Sequence, residues 1–275
     1  MSSKDLTFRR KERKYIILEH DFEEINQELQ AHIPVYHFEG RPALVNIETT
    51  YFDTEDFLIY NEYLARSKFR FKIRMRRYGY EGIFDPQYLV EMKINSNSLS
   101  HKNRFILPGG LFDSFVAGED LRPEIKEANQ SLIGAQKTYR LIYKLLKMNQ
   151  LVPVLQTSYS RIAYQKGSKR VRVTVDTGIT HKSLIGKPRE ATLDALVLES
   201  KIMGKTPKWH REMVNSLSLL KQQRFSKFAT GINSLYFPKR GKYYFYHDDS
   251  STGGEMSSRI VESCELLKTA LRLGD

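Results

Sequence analysis

The 275 residues are enough for one large domain or two modest ones, and 40% hydrophobic with 28% charged residues describe a soluble globular chain. A net charge of +12 draws polyanions, so nucleic acid, anionic membrane and polyphosphorylated small molecules are all candidate partners, while a lone cysteine, Cys264, excludes a disulfide framework or cysteine metal cluster. No signal-peptide core and no apolar run of membrane-spanning length occurs, which gives the expectation of a cytoplasmic protein with no membrane span of its own.

Residues 12–18, ERKYIIL, predict a first strand with Glu12 and Lys14 on one face. Asp21 and Glu24 have capping-box spacing, and Ile25, Leu29 and Ile33 form the apolar stripe of a helix that Pro34 ends. Residues 43–52 are β-branched and aromatic, and 53–56 open a turn or capped helical turn toward 57–63, which favours a capping role for Asp53 over a catalytic one. The stretch 69–76, FRFKIRMR, sets Arg70, Lys72, Arg74 and Arg76 on one face against Phe69, Phe71, Ile73 and Met75 on the other. Residues 79–86 connect it to a partner strand, 88–93, and 102–107 follow as another. A connector at 107–121 leads to Pro123 and one long helix or a helix pair up to about Met148. The second half repeats the strand pattern at 152–165, 169–176 and 195–202. Thr206-Pro207 opens a helix with Trp209, Met213, Leu217 and Leu220, and 224–231 follow. Beyond 240 a Tyr-rich and then Asp/Ser/Gly-rich stretch predicts a linker, and Ile260, Cys264, Leu267 and Leu271 fall at helical spacing. That helix fits packing on the body of the protein, with docking to a partner as the alternative. The expected division is 1–240 as one domain and 241–275 as linker plus amphipathic helix.

Every strand sets a charged column against an apolar one: Glu12/Lys14, Arg70/Lys72/Arg74/Arg76, Glu91/Lys93, Lys102/Arg104, Tyr159/Arg161, Arg170/Arg172 and Glu199/Lys201. A single strand of this kind could hold its charges in water. Seven of them, with helices whose apolar faces need cover, predict a mainly β member of the α+β class: a closed barrel with a charged lumen and a helix-covered exterior. Unpaired buried cations cost several kcal/mol each, so such a lumen requires a strong anion. A chain of phosphates supplies it through charge-assisted, partly bidentate hydrogen bonds.

The set Glu12-x-Lys14-Tyr15, Tyr51-Phe52-Asp53-Thr54, Lys72-Ile73-Arg74-Met75-Arg76-x-Tyr78-Gly79, Glu91-Met92-Lys93, Lys102-x-Arg104-Phe105, Tyr159-x-Arg161-x-Ala163-Tyr164-Gln165, 170–176 as RVRVTVD, Glu199-x-Lys201 and Phe225-Ser226-Lys227-Phe228-x-x-Gly231 resembles the VTC domain. That domain is the polyphosphate polymerase branch of the triphosphate tunnel metalloenzymes. The resemblance implies a closed antiparallel eight-stranded tunnel over 1–240 that binds a triphosphate with Mn²⁺ or Mg²⁺. By position it makes Lys14, Arg74, Arg76, Lys93, Lys102, Arg161 and Lys227 the phosphate-binding, catalytic cations, Tyr159 a phosphate-contacting hydroxyl and Glu199 the metal carboxylate. Arg70, Lys72, Arg172 and Lys201 on the same columns complete the expected substrate-binding set. There is one departure: a further tunnel arginine of the eukaryotic pattern falls on Tyr63, with Arg70 or Arg66 as substitutes.

The implied reaction moves the γ-phosphate of ATP onto a growing inorganic polyphosphate chain. Phosphoryl transfer rests on positioning and electrostatic stabilisation, and an ionised chain end needs no general base. Water as acceptor would need one, and Glu12 and Glu91 then stand equally as bases or as structural partners of neighbouring lysines. A tunnel hydrolase of triphosphate, nucleoside triphosphate or polyphosphate is therefore an alternative. A non-catalytic sensor of polyphosphate or inositol phosphates is another, disfavoured by Glu199 with Lys201. Nucleic-acid binding rests on net charge alone and is not expected; the Tyr243–Tyr246 cluster fits surface packing better than base stacking. A membrane-protein partner for the product is left open. Gly134-Ala135-Gln136-Lys137-Thr138 lacks P-loop spacing, and the histidines, His101 included, show no metal-binding spacing.

Overall fold

The computed structural model describes residues 10–96, 99–166, 170–216, 221–222, 225–240 and 258–271. In chain order the elements are β1 (Arg10–Ile17), α1 (Phe22–His32), β2 (Val45–Asp53), α2 (Leu58–Leu64), β3 (Phe69–Tyr80), β4 (Ile83–Phe84), β5 (Gln87–Ser96), β6 (Leu99–Pro108), α3 (Phe112–Ala117), α4 (Arg122–Ala128), α5 (Ala135–Asn149), β7 (Val152–Gln165), β8 (Val171–Ser183), β9 (Glu190–Thr192), β10 (Leu196–Met203), α6 (Lys208–Ser216), β11 (Lys221–Gln222), α7 (Lys227–Tyr236) and α8 (Ser258–Leu271). The long strands bury most of their apolar residues on one side because their polarity alternates at the period of the pleat; on β3 these are Phe69, Phe71, Ile73 and Met75, while Ile16, Ile47 and Val197 form a smaller cluster with Tyr159 and Phe225 on the opposite side. Helices cover that side. One core cluster joins it to residues of α2, α3, α4, α5 and α8, and a second joins Tyr15, Ile17, Val173, Val175 and Leu198 to Ile25 and Leu29 of α1 and Met213 of α6.

The strands pair antiparallel in the order β11-β1-β10-β8-β7-β2-β3-β5-β6, with β4 on β3 and β9 on β8. The expected closed eight-stranded barrel is not formed, since the ladder is open and β1 and β6 are not paired to each other among the described residues. Asn129, just after α4, explains part of this: its side chain accepts from the Ile106 N–H at 2.7 Å and donates to the Ile106 carbonyl at 2.8 Å, taking the place of a next strand on β6. The free side of β1 is taken at Tyr15 and Ile16 by β11. The sheet still curls: Lys14 on β1 donates to the Phe225 carbonyl at 3.0 Å and Lys72 on β3 to the adjacent Ser226 Oγ at 3.2 Å, which brings two strands that are not neighbours in the ladder to one short segment.

Other local expectations also change. Asp21 makes no side-chain cap to α1 and contacts His20 at 3.1 Å instead. The connector at 79–86 includes β4, and that at 107–121 includes α3. The long helical stretch resolves into the pair α4 and α5. Leu217 and Leu220, like residues 241–257, lie outside the described residues. Helix α8 packs on α5, with Cys264 and Leu267 in the core and the Asn149 amide donating to Ser263 Oγ at 2.8 Å. No described helix is long and apolar enough to cross a membrane.

Asp53 is the cap the sequence predicts. Its Oδ1 accepts from the N–H groups of Thr54 and Ile59 at 2.8 Å each, and Oδ2 from Tyr60 at 3.0 Å. Burial pushes its pKa up to about 7 in spite of these donors. Asp53→Ala strands these buried N–H groups and is expected to cost about 2–4 kcal/mol, read as an earlier denaturant midpoint at unchanged slope.

Candidate functional site

Residues directly opposite in an antiparallel ladder face the same way. The register matches Glu12 with Lys201, Lys14 with Glu199, Lys201 with Arg172, Arg161 with Asp176, Arg74 with Glu91, Lys72 with Lys93, and Lys93 with Lys102. By that register and the alternation along each strand, Arg70, Arg76 and Tyr159 join them, so the twelve strand-borne residues expected at the site all fall on the concave face. The thirteenth, Lys227, comes from α7. This helix lies against the same face, where a Cβ on Gly231 would meet His181 Nδ1 at 2.7 Å and Leu155 Cδ2 at 2.8 Å. His181 there donates to or accepts from Thr157 Oγ1 at 2.9 Å, and burial lowers its pKa to about 4.

The concave face divides by how its cations are balanced. Glu91, 1% exposed, takes Arg74 at 2.9 Å, Arg76 at 3.9 Å and a close contact from Lys102. Burial alone would favour the neutral acid, but these three cations hold its pKa at about 2. Glu91 is thus a structural counter-ion and a poor base. Asp176, fully buried, receives Arg161 Nε at 2.5 Å and Nη2 at 2.8 Å together with Lys227 Nζ. Its pKa is likewise about 2, with burial again overcome by Lys227 and Arg161. Tyr159 lies beside this group, with Lys227 Nζ 4.5 Å and the Arg161 guanidinium 5.4 Å from its ring centre. Arg76, Arg161 and Lys227 lower its pKa against the opposing effect of burial.

Lys14, Lys72 and Lys93 form a third group. Lys72 Nζ donates to Ser226 Oγ at 3.2 Å, and Lys14 Nζ to the Phe225 carbonyl at 3.0 Å, so the segment leading into α7 bridges β1 and β3. Glu12 is 3.9 Å from Lys14, yet among the described residues no carboxylate is in ion-pair distance of Lys72 or Lys93. Burial drives the Lys72 pKa well below its ordinary value, and Lys14, Lys93, Arg70 and Arg74 push it the same way. Glu199 pairs with Lys201 at 2.6 Å and is kept ionised, against burial, by Lys14, Lys201 and Arg161. Arg70 donates to the Ser67 carbonyl at 2.8 Å, and Arg172 lies 5.9 Å from the Tyr36 ring centre.

Two participants had no assigned role in the sequence reading. Asp176 shares the parity of Arg172 and Thr174, which was the available signal. Ser226 accepts from the Ala229 N–H as the N-cap of α7, and only the chain's path places it beside Lys72.

The sequence profile of the VTC domain matches residues 9–236. The chain belongs to the VTC domain family. Its relatives include vacuolar transporter chaperone complex subunit 4 of Trypanosoma cruzi, 27% identical over 74% of this chain and 30% of the relative, and of Trypanosoma brucei brucei, 26% identical over 83% and 35%. Subunit 2 of that complex from Saccharomyces cerevisiae is 26% identical over 69% of this chain and 24% of its own. The chain therefore spans about a quarter to a third of the length of these relatives. Among solved structures, the PH1819 protein of Pyrococcus horikoshii OT3 shares 14% identity over 80% of this chain and 97% of its own, with a TM-score of 0.40.

In this VTC domain Tyr63, the position of the departure, lies under Lys72, whose Nζ is 3.8 Å from its ring centre and 4.8 Å from that of Phe228. A cation–π contact thus stands where sequence reasoning sought another arginine. Among the described residues no cluster of three His, Cys, Asp or Glu could by itself hold a metal ion. Glu199 offers one ionised carboxylate, which fits a hard divalent ion whose other oxygens come from phosphates and water rather than from a protein cage.

Proposed function

We propose that this VTC domain is a polyphosphate polymerase that moves the γ-phosphate of ATP onto the end of an inorganic polyphosphate chain lying along the concave face. The observation that carries this reading is the buried lysine group. Lys72 and Lys93 lie near Lys14, and among the described residues no carboxylate is within ion-pair distance of either; Glu12 and Glu199, farther off, offset only part of the Lys93 charge, and phosphate oxygens supply the rest. Arg74, Arg76, Lys102, Arg161 and Lys227 flank that group and extend the cationic track to a run of phosphates.

The terminal oxygen of the chain attacks the γ-phosphorus of ATP, the bond to the β–γ bridging oxygen breaks, and ADP leaves with that oxygen. No proton need move, because both oxygens are ionised. Arg and Lys groups fixed before the reaction stabilise charge on the equatorial oxygens. Mn²⁺ or Mg²⁺, held by Glu199 and completed by phosphate oxygens, would add Lewis-acid stabilisation. The hydrolytic alternative is less well supported, since Glu91, one of its two candidate bases, is locked in ion pairs with a pKa of about 2.

Purified protein incubated with ATP and Mn²⁺ is expected to yield a ladder of long chains on a urea gel. Orthophosphate alone would favour the hydrolase, and unchanged ATP despite tight binding the sensor. Glu199→Gln should abolish the dependence of rate on Mn²⁺ in a titration; an unaltered Mn²⁺ curve would remove Glu199 from the metal site.

A further inference from the structure

Asp176 on β8 is fully buried on the phosphate side of the sheet; it closes the motif 170–176 but has no role assigned there. Its two oxygens are saturated by two cations from different elements: the Nε/Nη2 edge of Arg161 on β7 and the ammonium of Lys227, the first residue of α7. The bidentate contact fixes the plane of the guanidinium and leaves Nη1 and one Nη2 hydrogen for other acceptors. Lys227 likewise keeps two of its three hydrogens. The ring of Tyr159 packs beside both cations, and Glu199 lies close enough for Arg161 to help keep it ionised. One carboxylate thus aims two donors at one region and reduces their combined charge from two to one.

We propose that Asp176 is a positioning residue for phosphoryl transfer, orienting Arg161 and Lys227 toward the reacting phosphate while tempering their grip on phosphates in the ground state. This rests on the polymerase reading for its kinetic half and on the phosphate-binding face alone for its binding half. Losing the orientation lowers the rate of the chemical step. Losing the negative charge strengthens ground-state binding, so the two effects move in opposite directions. A purely structural carboxylate would alter the folded fraction and leave both constants per folded molecule unchanged.

The test uses the full chain with Asp176→Asn and Asp176→Glu, checks folding by thermal melts, and reads kcat and KM for ATP together with calorimetric affinity for inorganic tripolyphosphate without metal. Asp176→Asn is expected to lower kcat per folded molecule by roughly tenfold to a hundredfold, the scale of a misaligned donor. Its tripolyphosphate affinity should rise several-fold. Asp176→Glu keeps the charge and shifts the carboxylate, so it should lower kcat with tripolyphosphate affinity near wild type. Should Asp176→Asn not fold, Asp176→Glu alone decides. Unchanged kcat in whichever variants fold, or weaker tripolyphosphate binding by Asp176→Asn, overturns the proposal. If the wild type makes no polymer, the polymerase reading fails separately, and the tripolyphosphate shift still tests the role of Asp176.

Discussion

Arg74→Ala is expected to lower polymer synthesis from ATP about 10²–10³-fold, the loss seen when one fixed donor to a developing oxyanion is removed. Arg74 is the cleanest site for this measurement because its removal still leaves Glu91 balanced by Arg76 and Lys102. The fold should therefore persist, with a melting temperature within a few degrees of wild type. Arg161→Ala should cost as much in rate but also lower stability, since fully buried Asp176 then keeps only Lys227. Product formation from radiolabelled ATP and a dichroism melt on the same preparations separate the two effects. If both variants retain full activity, the concave face is not where the transfer occurs.

Glu91→Gln has the largest expected effect on stability. It leaves Arg74, Arg76 and Lys102 close together without their counter-ion, and breaking a buried charge arrangement in this way costs about 3–5 kcal/mol. Added tripolyphosphate should restore much of the loss, because a bound anion takes over the missing charge and favours the folded state by linkage. A melting temperature equal to wild type without ligand would show that the carboxylate contributes nothing net. The pH dependence has a definite sign. Folded Glu91 and Asp176 have pKa values of about 2, below their ordinary values of 4.5 and 3.8, so the stability they contribute is full above those ordinary values. It is lost as pH falls from about 4.5 toward 2, and Glu91→Gln should flatten that part of the acid-unfolding curve.

Among residues whose roles were assigned correctly in advance, Asp53 was legible because a cap is local: the acceptor lies within a few residues of the N–H groups it serves. The charged columns were legible for a related reason. Period-two alternation puts Arg70, Lys72, Arg74 and Arg76 on one side of a strand whatever that strand pairs with, and the apolar side then calls for helices to cover it. The capping-box spacing at Asp21 misled, since a short pattern does not decide which nearby group, here His20, takes the carboxylate.

Sequence by itself thus determined the strand faces, the dominance of positive charge and membership of a phosphate-handling resemblance, all of which follow from local periodicity and ordered motifs. Tertiary structure alone decided that among the described residues the ladder does not close between β1 and β6, because the cover of an edge depends on a side chain such as Asn129 arriving from just after a helix. It also decided which cations are already balanced. Ion pairs between Glu91 and Lys102 or Asp176 and Lys227 join residues from different elements, and no spacing along the chain encodes the few ångströms at which their charges meet.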